Sequence, residues 1–177
     1  MIFAQFHLLL LASFWTAILP RPNAFGNLDY GTPGNPDQYI ERCGFTLGYM
    51  QSTRQAAWAS YRLTDVNVFR KVCSRVDCFA PDPNVKKNPV QPSDYSASGY
   101  DRGHLVPAED MRYNNVCMID SFYMTNMSPQ VPGFNRGIWR RLEKVIRQFA
   151  LTESLKNRVS VADWNWGDID GADYDDE

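Results

Sequence analysis

The sequence predicts a mixed α+β domain built on an antiparallel sheet. Two short segments with strand-like alternation, 45–50 and 57–63, are separated by the polar run Gln51-Ser52-Thr53-Arg54-Gln55, which reads as a hairpin. One helix is clear: Trp139, Leu142 and Ile146 follow Asn135 at +4, +7 and +11, so a helix from Asn135 to about Ala150 carries all four on one face. The 177 residues, 44% hydrophobic and 14% aromatic, suffice for one packed core and exclude wholesale disorder.

In chain order, residues 1–24 read as a signal peptide or an uncleaved N-terminal anchor. The polar-poor run 8–19 has the length of a signal-peptide core and is short for a membrane span of about 20 residues. No Lys or Arg precedes it, and the best small-residue cleavage position is Ala24. Either reading implies export, to the outside or a periplasm, with membrane attachment only if the leader stays uncleaved. Residues 25–40, rich in Pro, Gly, Asn and Asp, read as a linker or extended arm leading into a domain over 41–162. Residues 79–99, with four prolines, form a long surface loop. A second irregular segment follows Asp101-Arg102-Gly103-His104, then a strand over 121–126 ending in a turn at Ser128-Pro129, the helix, and the start of another strand at 158–161.

The formal charge of −2 conceals a division along the chain. Residues 163–177 hold seven acids and no Lys or Arg, leaving 18 basic against 13 acidic residues before them, or +5. A locally positive body can attract phosphate while the whole chain is acidic. The acidic tail reads as a solvated end; a sharper reading makes it a phosphate mimic over the basic site, with Trp164, Trp166 and Tyr174 stacking in place of bases. Four cysteines, Cys43, Cys73, Cys78 and Cys117, fit an exported protein with two disulfides. Three connectivities exist; Cys73 with Cys78 would leave Cys43 with Cys117, and free buried thiols are the other reading. No CxxC is present and His104 is the only histidine outside the leader, so a zinc site is not indicated.

Three blocks carry the chemistry: Ser98-Gly99-Tyr100-Asp101-Arg102-Gly103-His104-Leu105-Val106-Pro107-Ala108, then Ser121-Phe122-Tyr123-Met124-Thr125-Asn126-Met127-Ser128-Pro129-Gln130, then Phe134-Asn135-Arg136-Gly137-Ile138-Trp139-Arg140-Arg141-Leu142-Glu143. In this order and spacing they resemble the DNA/RNA non-specific endonuclease family, the ββα-metal or His-Me finger nucleases that include endonuclease G. The likeness covers roughly residues 38–161. It implies the ββα-metal fold, a Mg²⁺-dependent hydrolysis of phosphodiester bonds (Mn²⁺ as substitute) and DNA and RNA as substrates, with 5′-phosphate products. An inhibitor protein and a second copy of the chain are the further partners it admits.

The chemistry explains the residue types. Hydrolysis needs an activated water and donors for the charge that develops on phosphorus. His104, with an ordinary pKa near ~6.5, can accept a proton at neutral pH, making it the candidate general base. A hard cation that keeps several waters can be held by few protein oxygens. The resemblance gives Asn135 that role, with Glu143 two turns on as a holder of the cation's waters. Arg102 offers a fork of donors to the scissile phosphate, Asn126 orients the site, and Arg75 and Arg136 are further phosphate contacts. On their own Arg136, Arg140 and Arg141 read as a solvated basic helix face, and Asp101 as a residue pinning its turn. Without a base-reading motif, contacts should fall on phosphate and sugar. Family members continue past 159–161 with more strands and a second helical region, where this chain turns acidic. The expected sheet is therefore incomplete, and the alternative function is a weak or inactive homologue that binds nucleic acid or a partner.

Overall fold

The computed structural model describes residues 26–152 and 157–160. The leader and the acidic tail lie outside the described residues. The first hairpin is made by β1 (Gln38–Arg42) and β2 (Phe45–Met50), joined through Cys43 and Gly44. Gly44 has φ +86°, and a Cβ there would collide with the Tyr113 hydroxyl, so the turn requires glycine for both reasons. β3 (Gln55–Leu63) pairs antiparallel with β2, and β6 (Asn157–Ser160) with β3, giving the order β1-β2-β3-β6. Phe45, Leu47 and Tyr49 alternate along β2, and Ala59, Tyr61 and Leu63 along β3, into the main core. Ile40, Val106, Met111 and Ala150 fill it, with Ile146 packed alongside.

Two readings of the sequence need correcting. The linker reading of 25–40 fails at both ends. Ile40 is buried in β1, and Asn27 is buried with its carbonyl accepting from the Ser60 hydroxyl at 2.6 Å. The motif around Ile40 is too short to show periodicity beside so much Pro and Gly. The strand expected over 121–126 falls instead at β5 (Met127–Gln130), pairing with β4 (Asp101–His104) as a separate two-stranded ribbon. Residues 124–126 form a 3₁₀ turn, and Ser121, Phe122, Met124, Thr125 and Asn126 are all buried. An apolar-looking run is equally produced by irregular chain threaded through a core. Pro129 is tolerated in β5 because a ribbon has edges where no N–H is required.

Two short helices were not read from the sequence. α1 (Asp65–Phe69) is capped by Thr64, which accepts from the Asn67 N–H, and α2 (Asn115–Asp120) by Asn114, which accepts from Val116 and Cys117. α2 carries Cys117 to Cys43 in a disulfide closing 74 residues; Cys73 and Cys78 are free. The cross-link ties the β1–β2 turn to the segment that follows the site, and a loop of this length stabilises by about 4 kcal/mol in the chain-entropy view.

The long helix begins earlier than its periodicity indicates. α3 (Pro132–Phe134) opens on a proline in its first turn, a π-helical turn spans Asn135–Trp139, and α4 (Arg140–Thr152) continues. Backbone angles at Phe134, Asn135 and Arg140 are all right-handed helical, so the three run on as one rod. The expected common face is divided: Trp139 is buried and Ile146 packs on the core, while Asn135 lines a cleft.

Candidate active site

The β4–β5 ribbon and the π turn meet across His104. Its carbonyl accepts from Trp139 Nε1 at 3.1 Å, which fastens the helix to the ribbon. The next residues are held by Asn126: Oδ1 accepts from the Val106 N–H (2.9 Å), and Nδ2 donates to the carbonyls of Val106 (3.0 Å) and Ser121 (2.9 Å). Asn126 is wholly buried, so it orients the site from beneath and does not reach the cleft. Gly103 is required because the Gln130 side chain lies where its Cβ would be.

His104 is buried between Phe122, edge-on at 5.0 Å between centroids, and Phe79 at 5.9 Å. Its Nε2 is buried and has no hydrogen-bond partner. Burial, assisted by the Arg75 guanidinium and opposed by Asp77, pushes its pKa down to about 3, so the ring is neutral and able to accept a proton. Arg102 lies over the Phe79 ring at 4.2 Å and has no carboxylate partner among the described residues. Arg75 sits over Phe122 at 5.0 Å and pairs with Asp77 at 2.7 Å.

Asp101 does more than pin a turn. It accepts from Asn135 Nδ2 at 3.0 Å and holds Arg136 in a two-pronged pair at 2.8 and 2.6 Å, and those donors keep its carboxyl below the usual range. With its nitrogen committed, the Asn135 carboxamide is left with its oxygen as the open donor. Arg136 is correspondingly half-neutralised as a phosphate contact. Glu143 lines the same cleft as Asn135 and His104. Burial first, then the Asp110 carboxylate, raises it to about 7, against the pull of Arg147, Arg75 and Arg140. Asp110 itself is fully buried beneath, accepting from Tyr61 and Arg147, each at 2.8 Å.

The π turn explains how Asn135 and Glu143 share a cleft. An uninterrupted α-helix turns by about 100° per residue and would leave Glu143 about 80° round from Asn135. A π turn takes one residue more to close, and so rotates the following chain back by about that step. The cleft, about 920 Å³, is lined by seven cationic side chains, among them Arg102, Arg140, Arg141 and Lys144, against Glu109 and Glu143. Arg140 and Arg141 are exposed, as a solvated basic face requires, and also line the cleft.

Sequence reasoning missed Phe79, Trp139 and the roles of Asp101 and Asp110. Asp101 and Trp139 lay inside the quoted blocks and could have been read as positioning groups; Phe79, in a loop 25 residues before His104, gave no signal. The donor set suits a hard divalent cation: one open amide oxygen and one carboxylate in a cleft roomy enough for retained waters. Among the described residues no cluster of three or more His, Cys, Asp or Glu could cage a metal.

Folded-state burial of these two groups has opposite consequences for stability. Unfolded His104 takes up a proton below about pH 6.5 and the folded ring does not, so its contribution is complete above that pH and is lost as pH falls towards 3. Glu143 contributes fully below about pH 4.5, and that contribution is lost as pH rises through 7. Between pH 4.5 and 6.5 each has a slope of about 1.4 kcal/mol per pH unit, with opposite sign. In metal-free urea titrations, His104→Gln is expected to tilt the stability profile toward acid, relative to the parent, and Glu143→Gln toward base; parallel profiles for all three would contradict the burial of both groups.

A ribbon presenting a histidine across a helix that presents an asparagine is the ββα-metal arrangement of nucleases. The model of the DNA/RNA non-specific endonuclease family matches residues 23–170, and the chain belongs to that family. It is 37% identical over 134 residues to nuclease C1 of Cunninghamella echinulata var. echinulata, covering 71% of this chain and 52% of that protein. To human mitochondrial endonuclease G it is 38% identical over 130 residues, covering 72% of this chain and 42% of that protein. Among solved structures, the crystal structure of the EndoG/EndoGI complex aligns with a TM-score of 0.69 and 32% identity, over 76% of this chain and 55% of that one. The chain spans about half the length of the curated relatives it matches.

Proposed function

We propose that this chain is a Mg²⁺-dependent endonuclease that hydrolyses phosphodiester bonds of DNA and RNA with little sequence preference, leaving 5′-phosphates. The observation that carries the reading is His104, buried and held neutral yet lining a cationic cleft that it shares with Asn135 and Glu143. A cleft rich in arginine suits a polyanion held through its phosphates.

Each residue has a task. Arg102 holds the scissile phosphate, with Arg75 beyond it. His104 accepts the proton of the attacking water. Burial first, then Arg75, holds its proton affinity low; a phosphate bound at Arg102 would bring negative charge towards the ring and offset Arg75, so substrate binding would strengthen the base. Phe79 and Phe122 keep bulk water from the ring. The Asn135 oxygen and Glu143 would hold the cation, which when bound supplies Lewis-acid stabilisation of the charge developing on the phosphate oxygens. Asp101 keeps the Asn135 oxygen turned to the cleft. Export through residues 1–24 belongs to the same proposal and is supported by the Cys43–Cys117 disulfide, which suits an oxidising compartment. A protein inhibitor as partner belongs to the same proposal, since the related EndoG was solved in a complex with EndoGI.

The test is degradation of plasmid DNA and of single-stranded RNA by the purified chain in Mg²⁺ and in EDTA. Cleavage of both in Mg²⁺ only, slowing steeply as salt rises from 50 to 200 mM, is expected. Salt-sensitive binding without cleavage at any protein concentration would overturn the enzyme reading and leave a nucleic-acid-binding homologue.

A further inference from the structure

Beside the catalytic cleft is a second hollow of about 350 Å³, walled by Phe79, Pro92, Tyr95 and Tyr100. It shares Arg102, Asn135 and Arg136 with the cleft, while His104 borders the cleft alone. We propose that this hollow is a nucleobase subsite, in which a base next to the scissile phosphate leaves its stack and lies against Tyr100 and Tyr95.

Its chemistry suits one end of a nucleotide. Tyr100, half exposed, offers a ring face to a flat heterocycle with Tyr95 and Pro92 beside it, and the guanidinium groups at the shared rim would hold the phosphate attached to it. The volume is at the small end of the ~300–1,000 Å³ usual for small-ligand sites, which suits a single base with its sugar. The wall is also locally built. Ser98 Oγ donates to the Tyr95 carbonyl at 2.8 Å and accepts from the Tyr100 N–H at 3.1 Å, so one side chain sets the separation of the two tyrosines. The turn between them needs left-handed backbone at Ala97 (φ +55°) and Gly99 (φ +82°). Tyr100 is half exposed, an apolar ring left at the mouth of the hollow, and it directly precedes Asp101 and Arg102. Phe79 has Arg102 over its ring, so cation and aromatic wall meet at the rim.

The consequence concerns substrate class, and it rests on the nuclease reading above. A base held in a duplex cannot enter the hollow without being flipped, at a cost that is smallest for unpaired strands. The subsite therefore favours single-stranded or distorted nucleic acid, without choosing among bases, since every base has a stacking face.

The test scans one abasic residue along an end-labelled single-stranded DNA and maps the cuts made by the full chain in Mg²⁺. Cleavage at the one bond whose neighbouring base is missing should fall about 10-fold or more relative to the other bonds. Tyr100→Ala should lower cleavage at the intact bonds by a similar factor and abolish the local dip, and Tyr100→Phe should behave as the parent. A cut pattern indifferent to the abasic position, or the same dip in Tyr100→Ala, would overturn the subsite. Binding in EDTA separates this idea from the nuclease reading. Adenosine 5′-monophosphate should bind more tightly than ribose 5-phosphate, and only the former should weaken in Tyr100→Ala, whether or not the chain cleaves. Equal binding of the two would count against the base site alone.

Discussion

His104→Ala is expected to reduce phosphodiester cleavage by about 10²–10⁴ while leaving nucleic-acid binding within a few-fold of the parent. The separation follows from the geometry. The imidazole contributes no charge to the cleft, since burial keeps it neutral, and the cations that attract the substrate stand on other elements: Arg102 on β4, Arg140, Arg141 and Lys144 on α4. Removing the ring leaves a gap between Phe79 and Phe122, and Trp139 still holds the backbone carbonyl. Added imidazole is therefore expected to restore part of the rate. Single-turnover cleavage with a parallel binding curve checks this. A loss below tenfold would remove His104 from the role of base, and a loss of binding equal to the loss of rate would mean that the substitution damages the cleft itself.

Asn126→Ala has the largest effect expected on folding, about 3 kcal/mol or more. The side chain satisfies three buried backbone groups, the N–H and carbonyl of Val106 and the carbonyl of Ser121, and Val106 is wholly buried. Each orphaned group costs about 1–3 kcal/mol. Asn126→Asp is the sharper control. The carboxylate still accepts from Val106 but sets negative oxygen against two carbonyls, so at neutral pH it should be no more stable than alanine. It should recover as the pH falls and the carboxyl gains a donor. Urea midpoints at pH 7 and 4.5 measure both; an Asn126→Ala midpoint equal to the parent would show that Val106 finds other partners. Because residues 105 and 106 directly follow His104, both variants should also lose activity at temperatures where they remain folded.

The tail deserves the same kind of separation as the base. A chain lacking residues 163–177 distinguishes the two sequence readings of that segment, because a phosphate mimic would compete with substrate and its removal would raise the rate. A solvated end would leave it unchanged. Salt weakens the competition and the attraction of substrate alike, so the comparison belongs at one ionic strength.

That His104, Arg102, Asn135 and Glu143 share one cleft was legible because they fall in local blocks whose types suit the proposed chemistry: a group to take a proton, an oxygen for a hard cation, a fork of donors. The β2–β3 hairpin was legible as well, since Phe45, Leu47 and Tyr49 alternate and the polar turn is local. The strand β1 and the ribbon strand β5 were not, because Ile40 lacks neighbours enough to make a pattern, and buried irregular chain over 121–126 imitates one.

From the order of residues alone came the resemblance to the nuclease family, the proposed base, the amide oxygen which that resemblance implies, and the basic helix, all of them carried by residues at short separation. Only the three-dimensional packing decided which atoms remain available. Asp101 occupies the nitrogen of Asn135 and half of Arg136, Phe79 and Phe122 strip His104 of water, and a π turn swings Glu143 round to meet Asn135. These are outcomes of long-range contact and of one extra residue in a helical circuit. A period of 3.6 residues cannot register an inserted residue, and proton affinity is set by neighbours distant in the chain.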